Sequence, residues 1–153
     1  MDKGERNMQQ VIITRGLPAS GKSTWSKKYT EKHPNFKRIN RDDLRFMIGF
    51  GKWTNKREEA VLAAREALVL FFVLHDYDII IDDTNLVPER MEETLILLKK
   101  VGASTGKEFR VKIKNFKTDV NLCVERDSKR PKETRVGEKF IRDYHKKYSK
   151  YLK

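Results

Sequence analysis

Gly16-Leu17-Pro18-Ala19-Ser20-Gly21-Lys22-Ser23 has the form G-x-x-x-x-G-K-S, and the residues on both sides suit it. Val11-Ile12-Ile13-Thr14 ahead of it is a β-branched run fit for a buried strand, and Thr24-Trp25-Ser26-Lys27-Lys28-Tyr29 behind it opens a helix. The glycines let the backbone fold back so that successive N–H groups point at a polyphosphate. The helix N-terminus adds about half a positive charge at the same spot. In this setting Lys22 reaches the β- and γ-phosphates of a nucleoside triphosphate and the Ser23 hydroxyl ligates Mg²⁺, with Gly16, Ser20, Gly21 and Thr24 completing the cradle. A plain glycine-bearing turn needs no such eight-residue pattern between a strand and a helix, so nucleotide binding is the expectation.

Outward from this loop, strands and helices alternate. The pattern predicts strands over 10–14, 36–39, 77–82 and 109–116, and helices over 22–32, 41–48, 55–74, 88–101, 118–129 and 137–151. Asn40 reads as an N-cap, Gly49-Phe50-Gly51 as a helix breaker, and Pro88 as a first-turn proline. In the long helix, Ala60, Ala63, Ala64, Ala67, Leu68 and Phe71 offer a small-residue packing face. Its end, Leu68 to Leu74, is apolar all round and is expected to be deeply buried. Trp25 and Trp53 are expected in the core or the cleft wall, and Tyr144, Tyr148 and Tyr151 or Leu152 form a packing stripe on the last helix. The fold class is therefore α/β, a P-loop fold whose central parallel sheet of about four strands carries helices on both faces. One domain spans the 153 residues, with 1–9 a short disordered lead.

In such a sheet the ligand sits beyond the carboxyl ends of the strands, so the residues that follow each strand should face one cleft. Asn40-Arg41-Asp42-Asp43-Leu44-Arg45 follows the second strand, and Asp82-Asp83-Thr84-Asn85 the third. Arg126 and Arg130 end the helix after the fourth. Asp83, or its neighbour Asp82, stands where P-loop proteins hold Mg²⁺ or its bound water; a carboxylate capping the turn before the Pro88 helix is the lesser alternative, because an apolar run delivers this one to the cleft side. Asp42 and Arg45 are three apart and share a helix face. There an ionised carboxylate can take a proton from an attacking hydroxyl, and a guanidinium can fork onto an acceptor phosphate. The blander reading is a first-turn acid that serves only the helix dipole. Arg126 and Arg130, four apart, would spread over transferring phosphoryl oxygens, with Pro131 and the charged loop after it suited to a mobile lid.

Composition adds a partner. Lys and Arg outnumber Asp and Glu by 34 to 22, a formal charge of +12 that nucleotide binding does not need. A polyanion such as nucleic acid accounts for it, and a lysine-rich solubilising surface is the alternative. Cys123 stands alone, so no intrachain disulfide can form, which fits a reducing, cytoplasmic compartment. No apolar run approaches the roughly 20 residues that span a bilayer, so no membrane partner is expected. His33, His75 and His145 are scattered and make no metal-site spacing.

Taken together and in order, Gly16 to Trp25, Ile39 to Arg45, Asp83-Thr84-Asn85-Leu86-Val87-Pro88-Glu89-Arg90 and Arg126-Asp127-Ser128-Lys129-Arg130 resemble the kinase domain of bacteriophage 5′-polynucleotide kinases. The resemblance implies transfer of phosphate from ATP, with Mg²⁺, to 5′-hydroxyl ends of DNA or RNA, in the host cytoplasm if phage-encoded. It implies that Asp42 is the general base, that Arg45 grips the acceptor phosphate, and that Asp83 is an essential acid flanked by Thr84 and Asn85 at the acceptor. It also implies that Arg126 and Arg130 contact the phosphate donor. In the best-known phage enzymes a 3′-phosphatase domain with a D-x-D-G-[TV] motif follows. No such motif occurs here, so kinase without phosphatase activity is expected. Residues 49–56 match no motif of the family. A kinase for a nucleoside, sugar or peptide, a non-catalytic P-loop protein, and a basic nucleic-acid module are the rival readings. Asn55-Lys56-Arg57-Glu58 only approaches the N-K-x-D guanine reader of a GTPase.

Overall fold

The computed structural model describes residues 8–153. In chain order the elements are β1 (Met8–Gly16), α1 (Lys22–Lys32), β2 (Phe36–Ile39), α2 (Arg41–Gly49), α3 (Asn55–Leu74), β3 (Asp78–Ile81), α4 (Pro88–Thr105), β4 (Glu108–Phe116), α5 (Val120–Ser128) and α6 (Glu138–Tyr148). The four strands form one parallel sheet in the order β2-β3-β1-β4. Ile13 of β1 lies beside Ile81 of β3 and Ile113 of β4, and Ile39 of β2 beside Ile81, so all carboxyl ends share one edge.

Alternation along the strands sorts the core into two faces. Val11, Ile13, Ile79 and Ile81 point to one side and pack with Val61, Val69 and Val73 of α3 and with Met91, Leu98 and Val101 of α4. Ile12, Ile80 and Phe36 point to the other, against Trp25 and Tyr29 of α1. A third cluster, Leu17, Leu86, Cys123, Ile141 and Leu152, fastens the base of the P-loop to α5 and α6, with Tyr144 and Tyr148 against it. Helices thus cover both faces, as the alternation of elements predicts. Among the described residues no helix is long and apolar enough to cross a membrane.

Three expectations change. Residues 1–7 of the expected lead lie outside the described residues, but Met8 and Gln9 belong to β1. Gln9 is buried because its amide donates to the carbonyls of Val73 and Tyr77, both at 3.1 Å. In α3 the buried stripe is Val61, Arg65, Val69 and Val73, spaced four apart, whereas Ala60, Ala63 and Ala67 face solvent. Leu70, Phe71 and Leu74 are exposed as well. The sheet face and the neighbouring helices α2 and α4 cover only part of the surface of α3, and its far side stays open whatever residues it carries. Trp25 lines a cleft as expected, but Trp53 stands 63% exposed.

Candidate active site

The P-loop connects a buried strand to α1 at the centre of the sheet, and its close packing explains its first glycine. A Cβ on Gly16 would lie 2.8 Å from Ser20 Oγ and 2.9 Å from Phe116 Cβ. Gly16 N–H donates to the Thr84 carbonyl at 3.0 Å, joining the loop to the end of β3. Lys22 is buried, and its ammonium donates to the carbonyls of Leu17 (2.6 Å) and Gly16 (3.1 Å) and to Ser20 Oγ (3.3 Å). Burial pulls its pKa down to about 8; the charge of Asp82 opposes the shift and that of Arg130 adds to it.

Beside this lysine opens a cleft of about 680 Å³. Ser20, Gly21, Lys22, Ser23 and Thr24 line it together with Trp25, Lys28, Phe116 and Thr118 and with Arg126 and Arg130, the Arg126 guanidinium 3.7 Å from where a Cβ on Gly21 would stand. The two arginines therefore meet the P-loop although about a hundred residues separate them from it. Thr118 Oγ1 donates to the Ser20 carbonyl at 2.7 Å and fastens the chain after β4 to the loop. Asp127, buried between the two arginines in sequence, accepts the N–H groups of Val136 (3.1 Å) and Gly137 (2.9 Å) and lies 3.6 Å from Arg130. The loop after Pro131 is thereby anchored at its far end to α5.

At the neighbouring strand ends the carboxylates divide their work. Asp82 is fully buried and accepts from Arg38 Nε at 2.6 Å, while the same guanidinium also pairs with Asp43. Asp83 accepts the Arg41 N–H at 2.9 Å, which seats the N-terminus of α2 on the end of β3. Its Oδ2 is buried and accepts no hydrogen bond among the described residues, with Arg65 Nη2 3.9 Å away. Burial raises the Asp83 pKa, against the Arg41 N–H and the charges of Arg65 and Arg41. A buried carboxylate oxygen without a hydrogen-bond donor, one residue before the Thr84 carbonyl that joins β3 to the P-loop, fits a divalent cation held mainly by nucleotide oxygens. No group of three or more His, Cys, Asp or Glu suited to a metal occurs among the described residues.

Asn40 caps α2 by accepting the Asp43 N–H at 2.8 Å, and its amide donates to the Asp82 carbonyl at 2.5 Å. Asp42, in the first turn of α2, is 77% exposed on its side chain and accepts from Arg45 Nη1 at 2.5 Å. Arg45 also grips Glu58 of α3 with two bonds of 3.1 Å. Burial works against its charge, but Glu58 and Asp42 outweigh burial and raise its pKa. Asn85 behaves differently from the acceptor contact expected of it. It is buried, and its amide donates to the carbonyls of Thr14 (2.8 Å) and Asp83 (3.2 Å), so it braces two strand ends. Thr84 contributes its carbonyl to Gly16.

A family model described as "AAA domain" matches residues 11–152. The chain belongs to that family. Its AAA domain resembles a chain in the structure of the Pnkp1/Rnl/Hen1 complex, with 26% identity and a TM-score of 0.66, over 78% of this chain and 39% of that one. A chain in the structure of the Pnkp1/Rnl/Hen1 RNA repair complex matches at 24% identity and a TM-score of 0.77, over 94% and 45%. A Chloroflexus aurantiacus protein proposed to be a kinase matches at 12% and 0.63, over 88% and 75%. The fold is that of P-loop kinases, and the chain spans less than half the length of the first two chains.

Sequence reasoning missed four contributors. Arg65 holds a position on the buried stripe of α3 and donates to Thr94 Oγ1 at 2.6 Å behind Asp83; an arginine in register with Val61 and Val69 was the available signal. Arg38, Glu58 and Asp127 act through partners in other elements or loops, for which no local spacing exists.

Proposed function

We propose that this chain moves the terminal phosphoryl group of ATP to a 5′-hydroxyl end of DNA or RNA. One observation carries the reading. The Arg41 N–H on Asp83 fixes the helix bearing Asp42 and Arg45 at the same sheet edge as the cleft of Lys22, Arg126 and Arg130. The +12 charge and the 26% identity to a chain of the Pnkp1/Rnl/Hen1 complex support a polynucleotide acceptor over a small one.

Backbone N–H groups from Gly21 to Thr24, at the N-terminus of α1, receive the donor's phosphates, and Lys22 trades its loop oxygens for phosphate oxygens. Ser23 and Asp83 would hold Mg²⁺, which would offset charge on the donor's phosphates. Arg45 binds the phosphate on the 3′ side of the acceptor nucleotide, with Thr84 beside it. Asp42 accepts the 5′-hydroxyl proton as that oxygen bonds to the γ-phosphorus. The bond from phosphorus to the β–γ bridging oxygen breaks and ADP leaves. Arg126 and Arg130 stabilise the charge spread over the transferring oxygens.

The test offers γ-labelled ATP and Mg²⁺ with a 5′-hydroxyl oligonucleotide, free nucleosides and sugars as competing acceptors. Label is expected on the oligonucleotide's 5′ terminus. Preferential labelling of a nucleoside or sugar overturns the reading.

A further inference from the structure

The segment that joins α2 to α3 is rich in exposed apolar side chains. Phe50 is 86%, Met47 74% and Trp53 63% exposed, at positions where a folded chain gains nothing from such large apolar groups. The segment is nonetheless tightly built. Phe50 has a left-handed backbone, with φ of 57°, a conformation rare for a bulky residue and a source of strain. Gly51 follows at φ of 75°, and a Cβ there would lie 2.6 Å from the Phe46 ring, so that ring packs flat on the glycine. The side chain of Arg57 packs on Gly49, and the Gly51 N–H donates to the Arg45 carbonyl at 3.2 Å. The backbone that presents Phe50 is thus held at the C-terminal end of α2, five residues after Arg45, and Trp53 follows three residues on, ahead of α3.

Charge identifies the occupant. From Phe46 to Arg57 the chain holds three cations, Lys52, Lys56 and Arg57, and no acid. A second copy of this chain meeting the patch through a twofold axis would set these cations against their own images. Aromatic rings interleaved with cations instead match a polynucleotide whose bases stack while its phosphates are neutralised. A base inside a duplex has both faces covered, so the strand that fits is single or frayed.

Resting on the acceptor reading above, we propose that Phe50 and Trp53 form a stacking platform for the bases just 3′ of the reacting nucleotide, with Lys52 and Lys56 on their phosphates. The platform makes acceptor use depend on strand length, because a single nucleotide reaches Arg45 but not the rings.

The test compares the wild type with Phe50→Ala/Trp53→Ala, using a ten-residue 5′-hydroxyl oligothymidylate and thymidine 3′-monophosphate as acceptors. For the oligonucleotide, KM should rise about 5- to 150-fold for each base unstacked. The KM values for ATP and for thymidine 3′-monophosphate should stay within about twofold, and Phe50→Tyr/Trp53→Phe should retain wild-type KM. An unchanged oligonucleotide KM, or an equal rise for the mononucleotide, overturns the platform. So does a dimer, seen by sedimentation, that the alanine variant dissociates without altering oligonucleotide binding. Tryptophan fluorescence separates this inference from the reading beneath it. If the wild type phosphorylates no oligonucleotide, the acceptor reading falls. The platform then stands or falls on whether the oligothymidylate quenches emission that Trp53→Phe removes.

Discussion

The cleft beside Lys22 is built on backbone held by a buried strand, a close-packed glycine and a helix N-terminus, to which the side chains of Lys22, Arg126 and Arg130 are added. The α2 side instead depends on side-chain ion pairs, Arg45 between Asp42 and Glu58 and Arg38 between Asp43 and Asp82. The first region is rigid by construction. The second is an assembly of charges whose positions depend on partners in α3 and β3. A P-loop backbone can cradle the phosphates of any donor, whereas an acceptor of the kind proposed would have to be specified by side chains.

The largest expected effect is on the cleft side, at the arginines that line it opposite the P-loop. Arg126→Ala/Arg130→Ala should slow transfer by about 10³- to 10⁵-fold in a single-turnover assay. A loss under tenfold would remove the pair from the transfer step. Next, Asp42→Ala should lower kcat by about 10²- to 10⁴-fold while ATP binding, followed by calorimetry, is retained. Substantial residual transfer would make Asp42 a helix-dipole residue and nothing more.

Glu58→Gln sharpens the comparison at the α2 side. A glutamine offers one acceptor oxygen and an NH2 donor where Glu58 offers two oxygens to the Arg45 fork, so acceptor KM should rise about 10- to 100-fold, as expected for lost charge-assisted hydrogen bonds. ATP KM should not change, and Arg45→Ala should show the same split. A change confined to ATP KM would contradict the assignment of this pair to the acceptor.

The smallest effect concerns pH on the donor side. Burial lowers the Lys22 pKa from 10.5 to about 8, so the native chain loses this proton before the unfolded chain does. Between those values the unfolded state binds more protons, and the stability contribution of Lys22 rises with pH. Triphosphate binding has the opposite sense, because it favours the charged lysine. Affinity for ATP should be full below about pH 8 and fall by at most about tenfold per unit above it, with proton uptake on binding. Calorimetry at pH 8.5 in two buffers of different ionisation enthalpy measures that uptake, and its absence would contradict the charge assigned to Lys22.

The same division explains what could be read in advance. The P-loop, the Asn40 cap, the extent of α3 and the strands around Ile12 and Ile80 rest on local chemistry and short periodicity, and all are visible in the sequence. The convergence of Arg126 and Arg130 on the P-loop follows from the parallel sheet. Glu58 could not be found because its partner lies 13 residues away on another helix, and the sequence pattern does not encode that crossing. Nor could the exposure of Leu70, Phe71 and Leu74 be foreseen, since an apolar run records what a helix can bury and not what covers it. The bracing of Asn85 was obscured because its motif position suggests a ligand contact, whereas its amide completes carbonyls at two strand ends.

A single molecule can measure whether the two regions form one site. It is an oligonucleotide joined at its 5′ oxygen, through a polyphosphate chain, to adenosine, and its affinity would be compared with those of ATP and the oligonucleotide alone. The expected result is binding far tighter than either half, weakened both by Arg130→Ala and by Arg45→Ala. An analogue that binds no tighter than its ATP half, or that responds to only one of the two substitutions, would contradict a shared site.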